Sequence, residues 1–285
     1  MRSDRLVNNT RSLLKEYGFT ASKRFGQNFI TDGKVLEDMV GASCLAKGEN
    51  VLEIGPGFGA LTQYLAETAD RVFAVEVDRK LIPVLKETLS AYDNIEIINE
   101  DIMKTDISSL MTEKPFRIIA NLPYYITTPV IMSIFESHVP CRSVTVMVQK
   151  EVGERMTADP GDKSYGALSL AVKYYTASHV VRKVPAGSFF PVPKVDSVIV
   201  HMDVYGRPGV SVKDEKMMFS LIRGAFNQRR KTLVNALSGY AGLGIPKEKL
   251  AEAVGSINVK PTVRGEELSL EQFASLTDFL KNEQV

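Results

Sequence analysis

The alternation of short apolar segments with helix-like stretches in the first half of the chain most constrains the fold. Segment 50–55 (NVLEIG) is typical of a buried strand that ends in glycine, and segment 61–67 has helical character. The alternation continues with strand-like segments at 71–76, 95–99, 117–120 and 143–148 and helix-like segments at 81–90 and 130–136. Strands that alternate with helices predict a parallel sheet covered by helices on both faces.

The pattern changes in the later part of the chain. Segments 178–184 and 197–204 are strand-like and joined by a proline-rich loop, which predicts an antiparallel pair added to the sheet. The run Gly206-Arg207-Pro208-Gly209 indicates a break, and helix-like segments follow at 215–226, 230–239, 247–254 and 270–281. We therefore predict an α/β domain over 1–205, with a seven-stranded, mostly parallel sheet, and a small α-helical domain over 206–285.

Composition argues against several classes of protein. No apolar run approaches the ~20 residues needed to cross a bilayer, and the polar N-terminal segment lacks the apolar stretch of a signal peptide. Cys44 and Cys141 are far apart, and the histidines at 138, 179 and 201 are scattered, so no metal-ligand spacing is present. We expect a cytoplasmic protein without a membrane or metal partner, and we take a monomer as the default.

A glycine-rich loop follows the first predicted strand. Glu53-Ile54-Gly55-Pro56-Gly57-Phe58-Gly59 has the pattern GxGxG, in which glycine lets the backbone turn tightly and approach a ligand closely. Many nucleotide-binding sheets carry such a loop, and the GK[ST] ending of a phosphate-binding loop is absent. The loop alone indicates a nucleotide-like ligand without identifying it.

Acidic residues end the next two predicted strands. Glu76 lies 21 residues after Gly55, close to the ~20-residue offset of an acid that binds ribose hydroxyls; Asp78 is a weaker competitor for this role. The third strand ends near Glu100 and Asp101, where an acid can accept a hydrogen bond from the amino group of adenine. These strand ends predict one nucleoside pocket. We see no hydride-transfer apparatus, and the next motif has no use in an NAD enzyme, so S-adenosylmethionine is favoured over NAD.

The fourth predicted strand runs into Asn121-Leu122-Pro123-Tyr124, a tetrapeptide of the class [DN]-x-P-[YF]. An exocyclic amine on a purine is a poor nucleophile because its lone pair is delocalised into the ring. The Asn121 side-chain oxygen and the Leu122 carbonyl, held by the rigid link to Pro123, are two acceptors that would favour a pyramidal amine nitrogen. Tyr124 offers a ring on which the base can stack. The motif therefore predicts methyl transfer to an adenine amine.

The target base must be unpaired or flipped out of its helix to reach such a pocket. The proline-rich loop contains Phe189-Phe190-Pro191-Val192-Pro193, which could supply the stacking wall opposite Tyr124. We favour Phe189 for the base; for Phe190, the alternative interpretation is a buried aromatic ring that anchors the loop.

Together these residues resemble the KsgA-type ribosomal RNA adenine dimethyltransferases over nearly the whole chain. The resemblance is carried by 23–30 (KRFGQNFI), 53–59, 76–78, Asp101, 121–124, 148–152, 189–197 (FFPVPKVDS) and 226–233 (FNQRRKTL). It implies a Rossmann-like class I methyltransferase fold. It also implies transfer of two methyl groups to N6 of each of two adjacent adenosines in the 3′-terminal hairpin of 16S rRNA, within a late precursor of the small (30S) ribosomal subunit, and a part in ribosome biogenesis.

The resemblance also assigns residues to the cofactor and to RNA. By motif match, and with Gly57 from the glycine loop, the S-adenosylmethionine contacts are Asn28, Ile30, Gly55, Gly57, Glu76, Asp101 and Asn121. Without the resemblance, Asn28 and Ile30 are only parts of a polar loop. Basic residues cluster on or beside one predicted helix of the second domain, which suits contacts to RNA phosphates; they are Arg223, Arg229, Arg230 and Lys231.

Three alternatives stay open at this point. The related family that methylates 23S rRNA also carries NLPY, although FGQNF and FNQRRKTL favour the small-subunit branch. A DNA adenine methyltransferase shares the motif class, but we see no separate target-recognition insertion. The third alternative is an RNA-binding assembly factor on the same fold that does not need catalysis; the intact pocket argues against lost activity.

Overall fold

The computed structural model describes residues 6–19, 26–111 and 115–282. Residues 23–25, at the start of the KRFGQNFI segment, lie outside these ranges. The chain divides into two compact units, the first comprising 1–153 and 178–204 and the second 154–177 and 205–285. It therefore passes between the units more than once, where the sequence predicts a single boundary near residue 206.

Nine strands occur in the described part of the chain. They are β1 (Phe29–Ile30), β2 (Asn50–Ile54), β3 (Arg71–Val75), β4 (Ile95–Ile98), β5 (Phe116–Asn121), β6 (Cys141–Gln149), β7 (Thr176–Val184), β8 (Phe189–Phe190) and β9 (Ser197–Val204). All but two of them form one sheet, whose strand order is β4-β3-β2-β5-β6-β9-β7. The seven predicted strands are thus confirmed.

The central sheet is mixed. Strands β2 to β6 are parallel to one another, and β9 pairs antiparallel with β6. Parallel strands place their carboxyl ends at one edge of the sheet. The glycine loop, Glu76 and Asn121 therefore meet at this edge, because each lies at or just beyond the end of its strand.

The α-helices surround the sheet in the first unit and make up most of the second. They are α1 (Leu6–Glu16), α2 (Gly33–Ala42), α3 (Ala60–Ala66), α4 (Leu81–Thr88), α5 (Ile107–Leu110), α6 (Thr127–Glu136), α7 (Lys150–Met156), α8 (Ala167–Tyr175), α9 (Glu215–Asn227), α10 (Leu233–Ser238), α11 (Lys247–Ser256) and α12 (Leu270–Asn282). No described helix is both long and apolar enough to span a bilayer.

The apolar strands explain the core of the first unit. Every residue of β2 is buried, as expected for a central strand with helices on both faces. Helix α2 buries Val35, Leu36 and Met39, which join Val51 of β2 in one hydrophobic cluster. Its first turn is capped by Asp32, which accepts a hydrogen bond from the Lys34 backbone N–H.

Helix α8 belongs to the second unit, which the sequence prediction did not anticipate. The helix is apolar, with seven of its nine residues buried, and it packs against α9 and α12. The Tyr175 ring stacks on Phe219 of α9, with ring centroids 5.9 Å apart. Because these helices share one apolar core, the residues around α8 group with the C-terminal helices although they precede β9 in the chain.

The N-terminal helix is tied to the glycine loop through aromatic rings. Phe19, just after α1, contacts Phe29 and Phe58 edge-on, at centroid distances of 6.0 and 5.3 Å. Phe29 and Phe58 contact each other at 4.8 Å. The Thr10 hydroxyl of α1 donates a hydrogen bond to the Ile30 carbonyl. This aromatic trio connects β1, α1 and the loop that follows β2.

Candidate active site

A cavity of about 450 Å³ opens at the carboxyl edge of the parallel strands. Its lining contains all seven residues predicted to contact the cofactor, and also the NLPY tetrapeptide. The residues that line it include Asn28, Ile30, Gly55, Gly57, Glu76, Asp101, Asn121, Leu122, Pro123 and Tyr124. Segments that are distant in sequence therefore form one site, all of it within the first unit.

The glycine loop has a shape that a side chain would disrupt. Gly55 and Gly57 have φ values of 71° and 61°, in the left-handed region that favours glycine. A Cβ on Gly57 would also lie 3.1 Å from ring atoms of Phe29. The backbone here can thus approach a ligand closely on one side, while the aromatic trio supports it on the other.

Glu76 is held by backbone donors beside this loop. Its side chain accepts hydrogen bonds from the N–H groups of Asp78, at 2.8 Å, and Gly57, at 3.3 Å. Burial raises the pKa of Glu76 to about 7, against the opposing effect of the N–H donors. An acid that lines the cavity and is already aligned by the glycine loop is well placed to accept hydrogen bonds from ribose hydroxyls.

The competitor acid, Asp78, has a different environment. It is buried, accepts a hydrogen bond from the Gln27 side chain at 2.9 Å, and caps the turn at Lys80. It does not line the cavity. Asp78 therefore fastens the FGQN segment to the end of β3, and of these two acids only Glu76 lines the cavity.

Asp101 lies in the turn that follows β4. One carboxylate oxygen accepts a hydrogen bond from the Met103 N–H at 3.0 Å, and its carbonyl accepts from Lys104 and Thr105. This turn fixes Asp101 at the wall of the cavity. The position suits the predicted contact to an adenine amino group.

Glu53 is a site residue that the sequence reasoning missed, although it begins the glycine motif. It is only 1% exposed, it lines the cavity, and its Oε2 atom has no hydrogen-bond partner among the described residues. Burial raises the pKa of Glu53 to about 8, and the negative charge of Glu76 adds to the rise. The signal for it was an acid in an otherwise apolar, fully buried strand.

The buried Glu53 predicts how stability depends on pH. Its pKa in the folded protein is about 8, above the ordinary value of 4.5. Its contribution to the free energy of unfolding is therefore fully present below pH 4.5 and is lost as pH rises through about 8. Between pH 6 and 9 the parent should lose stability as Glu53 ionises, and the Glu53→Gln variant should lose less because glutamine does not ionise. A pKa difference of one between the folded and unfolded protein corresponds to about 1.4 kcal/mol. Thermal unfolding of the cofactor-free proteins across this range is the measurement. Parallel pH curves for the two proteins would contradict the expectation.

The asparagine of NLPY is oriented by the FGQN segment. Asn121 ends β5, where it pairs with Met147 of β6, and its side-chain Nδ2 donates a hydrogen bond to the Asn28 carbonyl at 3.1 Å. This contact uses the donor end of the amide, and Oδ1 is the atom that the sequence analysis assigns to a substrate amine. Asn28 itself donates to the Gly26 carbonyl, so the polar loop has a clear positioning role.

Tyr124 is also fixed. Its hydroxyl lies 2.8 Å from the Ser197 hydroxyl at the start of β9, and burial raises the pKa of Tyr124. The neutral phenol therefore persists at physiological pH and its ring is held at the cavity. Leu122 is buried, so it contributes its side chain to the core and can offer the pocket only its backbone.

Phe189, the predicted stacking partner of the base, belongs to a short strand. Residues Phe189 and Phe190 form β8, which pairs antiparallel with Phe29 and Ile30 of β1. Phe189 is fully buried in the hydrophobic core and does not line the cavity, whereas Phe190 is 38% exposed. Strand pairing turns consecutive side chains to opposite faces, so Phe189 offers no accessible face to a base in this conformation.

The predicted RNA-binding residues lie in the second unit. Arg223 is on α9, and Arg229, Arg230 and Lys231 lie beside it in the connection between α9 and α10. Leu233, at the start of α10, donates to the Val263 carbonyl at 2.7 Å. All four basic side chains are exposed. Within the described ranges, no group of three or more potential metal ligands was found.

The cavity fits a nucleoside cofactor by its size, its glycine backbone and its two buried acids. The mixed seven-stranded sheet with this site at its carboxyl edge defines an S-adenosylmethionine-dependent methyltransferase of the Rossmann-like class. Residues 18–282 match the family described as ribosomal RNA adenine dimethylase, and the chain belongs to that family.

Known proteins support this assignment at the level of sequence and fold. The chain is 51% identical to "Ribosomal RNA small subunit methyltransferase A" of Lachnoclostridium phytofermentans, over 95% of each chain. A dimethyladenosine transferase from Plasmodium falciparum has a similar structure, with a TM-score of 0.77 and 26% identity over 90% of this chain and 98% of that one. The 23S rRNA methyltransferase ErmE has a TM-score of 0.69 and 26% identity, over 89% of this chain and 100% of its own.

Proposed function

We propose that this chain methylates N6 of two adjacent adenosines in the 3′-terminal hairpin of 16S rRNA, producing N6,N6-dimethyladenosine within the small ribosomal subunit. The observation that carries the proposal is the Asn121 amide, oriented by Asn28 at the end of a nucleoside-sized cavity. The choice of the small subunit is supported by the name of the relative that is 51% identical. A role in small-subunit biogenesis and a cytoplasmic location accompany that substrate.

The cofactor would be held by the strand-end residues. Glu76 would bind the ribose hydroxyls, Asp101 the adenine amine, and the backbone at Gly55 and Gly57 would lie against the nucleoside. Bound S-adenosylmethionine supplies an electrophilic methyl group on a positively charged sulfur. The buried carboxyl of Glu53 adds a negative group to the same cavity when it is ionised.

The target adenine would enter the NLPY side of the cavity. The Asn121 Oδ1 atom and the Leu122 carbonyl accept hydrogen bonds from the amine, which favours a pyramidal nitrogen with a free lone pair. Tyr124 stacks on the base, its hydroxyl held by Ser197. The amine proton leaves after the nitrogen has become cationic, so the residues act mainly by orientation and by their dipoles.

A second methylation places a further demand on this site. After the first round the amine has only one N–H, so the Asn121 oxygen and the Leu122 carbonyl cannot both accept from it. The pocket must then accommodate a methyl group beside one of the two acceptors. Dimethylation in this proposal is supported by the family to which the chain belongs, not by the tetrapeptide alone.

The second candidate substrate is 23S rRNA, which is favoured by the structural similarity to ErmE. A methyl-transfer assay with labelled cofactor separates the candidates. It compares small subunits that lack the modification, large subunits, naked RNA and DNA, and identifies the modified nucleoside by mass. Dimethyladenosine in small-subunit RNA is expected. Methylation confined to large-subunit RNA would establish the alternative, and methylation of none of them would favour a binding factor. A monomeric enzyme is our proposal for the assembly state.

A further inference from the structure

A loop of the second unit is bound to the segment before α12. The Gly161 N–H donates to the Glu266 carbonyl at 3.0 Å, and the hydroxyl of the buried Tyr165 donates to the Leu268 carbonyl at 2.9 Å. Between these two contacts lies Lys163, whose side chain is exposed. The loop between α7 and α8 is therefore held at both ends, and its middle carries a cation.

Arg229 completes this attachment. Its Nε and Nη2 atoms donate to Glu266 Oε2, at 3.1 and 2.9 Å, and Nη2 also donates to the Lys163 carbonyl at 3.0 Å. A guanidinium with these contacts is already committed to protein acceptors, and an arginine makes such forked contacts better than a lysine. Arg229, which the sequence assigns to an RNA contact, thus already has protein partners for its guanidinium.

We propose that Arg229 is a positioning residue, fixed by Glu266, that holds Lys163 beside Arg230 and Lys231 so that these three cations form one binding surface for RNA phosphates. The inference rests on the proposed function, since it concerns how the RNA substrate is held. Lys163 is assigned to this surface by the structure, because it is distant from the FNQRRKTL segment in sequence.

The charges around the surface support this arrangement. Lys163, Arg230 and Lys231 are exposed and form no ion pair with the described residues. The two acids of the loop are engaged locally, since Asp159 pairs with Lys173 and Asp162 accepts from the Asp159 N–H. Glu266 is neutralised by Arg229. Among the charges without an ion pair to a described residue here, Asp162 is negative and Lys163, Arg230 and Lys231 are positive, so the sum of these charges is positive, which suits a phosphate backbone.

Two explanations of the role of Glu266 predict opposite effects of its removal on the affinity for RNA. If it were only an acid near bound RNA, its removal would tighten binding by reducing repulsion. If it positions Arg229 and Lys163, its removal weakens binding. The Arg229→Lys variant makes the same distinction without changing the net charge, because lysine cannot bridge Glu266 and the loop carbonyl in the same way.

The experiment measures the Kd of small-subunit particles that lack the modification across a range of salt concentrations. Lys163→Ala should weaken binding about five- to tenfold and reduce the slope of log Kd against log salt by about 0.7 to 0.9, the value of one phosphate contact. Glu266→Ala and Arg229→Lys should each weaken binding at least about threefold. The double variant Lys163→Ala/Glu266→Ala should bind no more weakly than Lys163→Ala alone. Glu252→Ala, an exposed acid of α11, is the matched control and should not weaken binding.

The outcomes separate this inference from the proposed function. Tighter binding by Glu266→Ala, or additive effects in the double variant, would overturn the positioning role. Unchanged cofactor affinity and thermal unfolding in each variant show that the fold is intact, and Glu266→Gln replaces Glu266→Ala if the latter is unstable. Failure of the parent protein to bind small-subunit RNA would instead refute the proposed substrate, and the inference with it.

Discussion

Replacing Asn121 by alanine should lower the rate of methyl transfer by about 10²- to 10³-fold, the typical effect of removing one preorganised dipole from a reacting group. The physical reason is that Nδ2 of this amide is already bound to the Asn28 carbonyl at 3.1 Å, which leaves Oδ1 for the substrate. Single-turnover rates with saturating cofactor measure the effect. The Kd for RNA should stay within about threefold of the parent value, because RNA binding is dominated by phosphate contacts outside the cavity.

A structural asparagine provides the matched control for this variant. Asn94 also donates through Nδ2 to backbone carbonyls, those of Ala66 and Ala69, but it does not line the cavity. Asn94→Ala should reduce stability and leave the single-turnover rate of the folded enzyme nearly unchanged. Full activity in Asn121→Ala would refute the mechanism that we assign to NLPY.

Replacing Glu76 by glutamine should weaken cofactor binding by about 10- to 100-fold, because hydrogen bonds to a charged acceptor contribute about 1.5–3 kcal/mol. The parent enzyme should also bind cofactor more tightly as pH rises from 6 to 8. The pKa of Glu76 is about 7, and ribose hydroxyls donate best to the ionised carboxylate. Isothermal titration across this range measures both effects.

The pH dependence distinguishes Glu76 from the other acids of the pocket. Glu53 also titrates in this region, with a pKa of about 8 in the parent protein, so the Glu76→Gln variant should keep a weaker pH dependence that arises from Glu53. Glu100 lines the cavity but is exposed, and Glu100→Gln should change the affinity little. An unchanged cofactor Kd in Glu76→Gln would remove this residue from the ribose role.

The sequence was most informative where local pattern and tertiary structure agree. The seven strands of the sheet follow from apolar runs bounded by glycine and polar residues, and the acids at 76 and 101 follow from their position at strand ends. These features depend on periodicity and on the rule that parallel strands end at one edge. For the same reason the sequence predicts that the cavity lies at this edge of the sheet.

The features that the sequence did not predict depend on contacts between distant segments. Phe189 and Phe190 are adjacent aromatic residues, and only the pairing of β8 with β1 determines which of them is buried. The grouping of α8 with the C-terminal helices depends on a shared core that no linear boundary signal marks. Arg229 is of a residue type that commonly contacts RNA phosphates. Its hydrogen bonds to Glu266 and Lys163 are visible only in the structure.

The aromatic trio of Phe19, Phe29 and Phe58 has a consequence for how the catalytic unit can be divided. Phe58 lies within the glycine loop, and its two partners precede the first strand of the central sheet. The described residues before β2 that line the cavity, Thr10 and 26–30, are therefore an integral part of the methyltransferase site. A protein engineer who grafts this catalytic centre onto another RNA-binding module must therefore transfer residues 6–30 with the sheet.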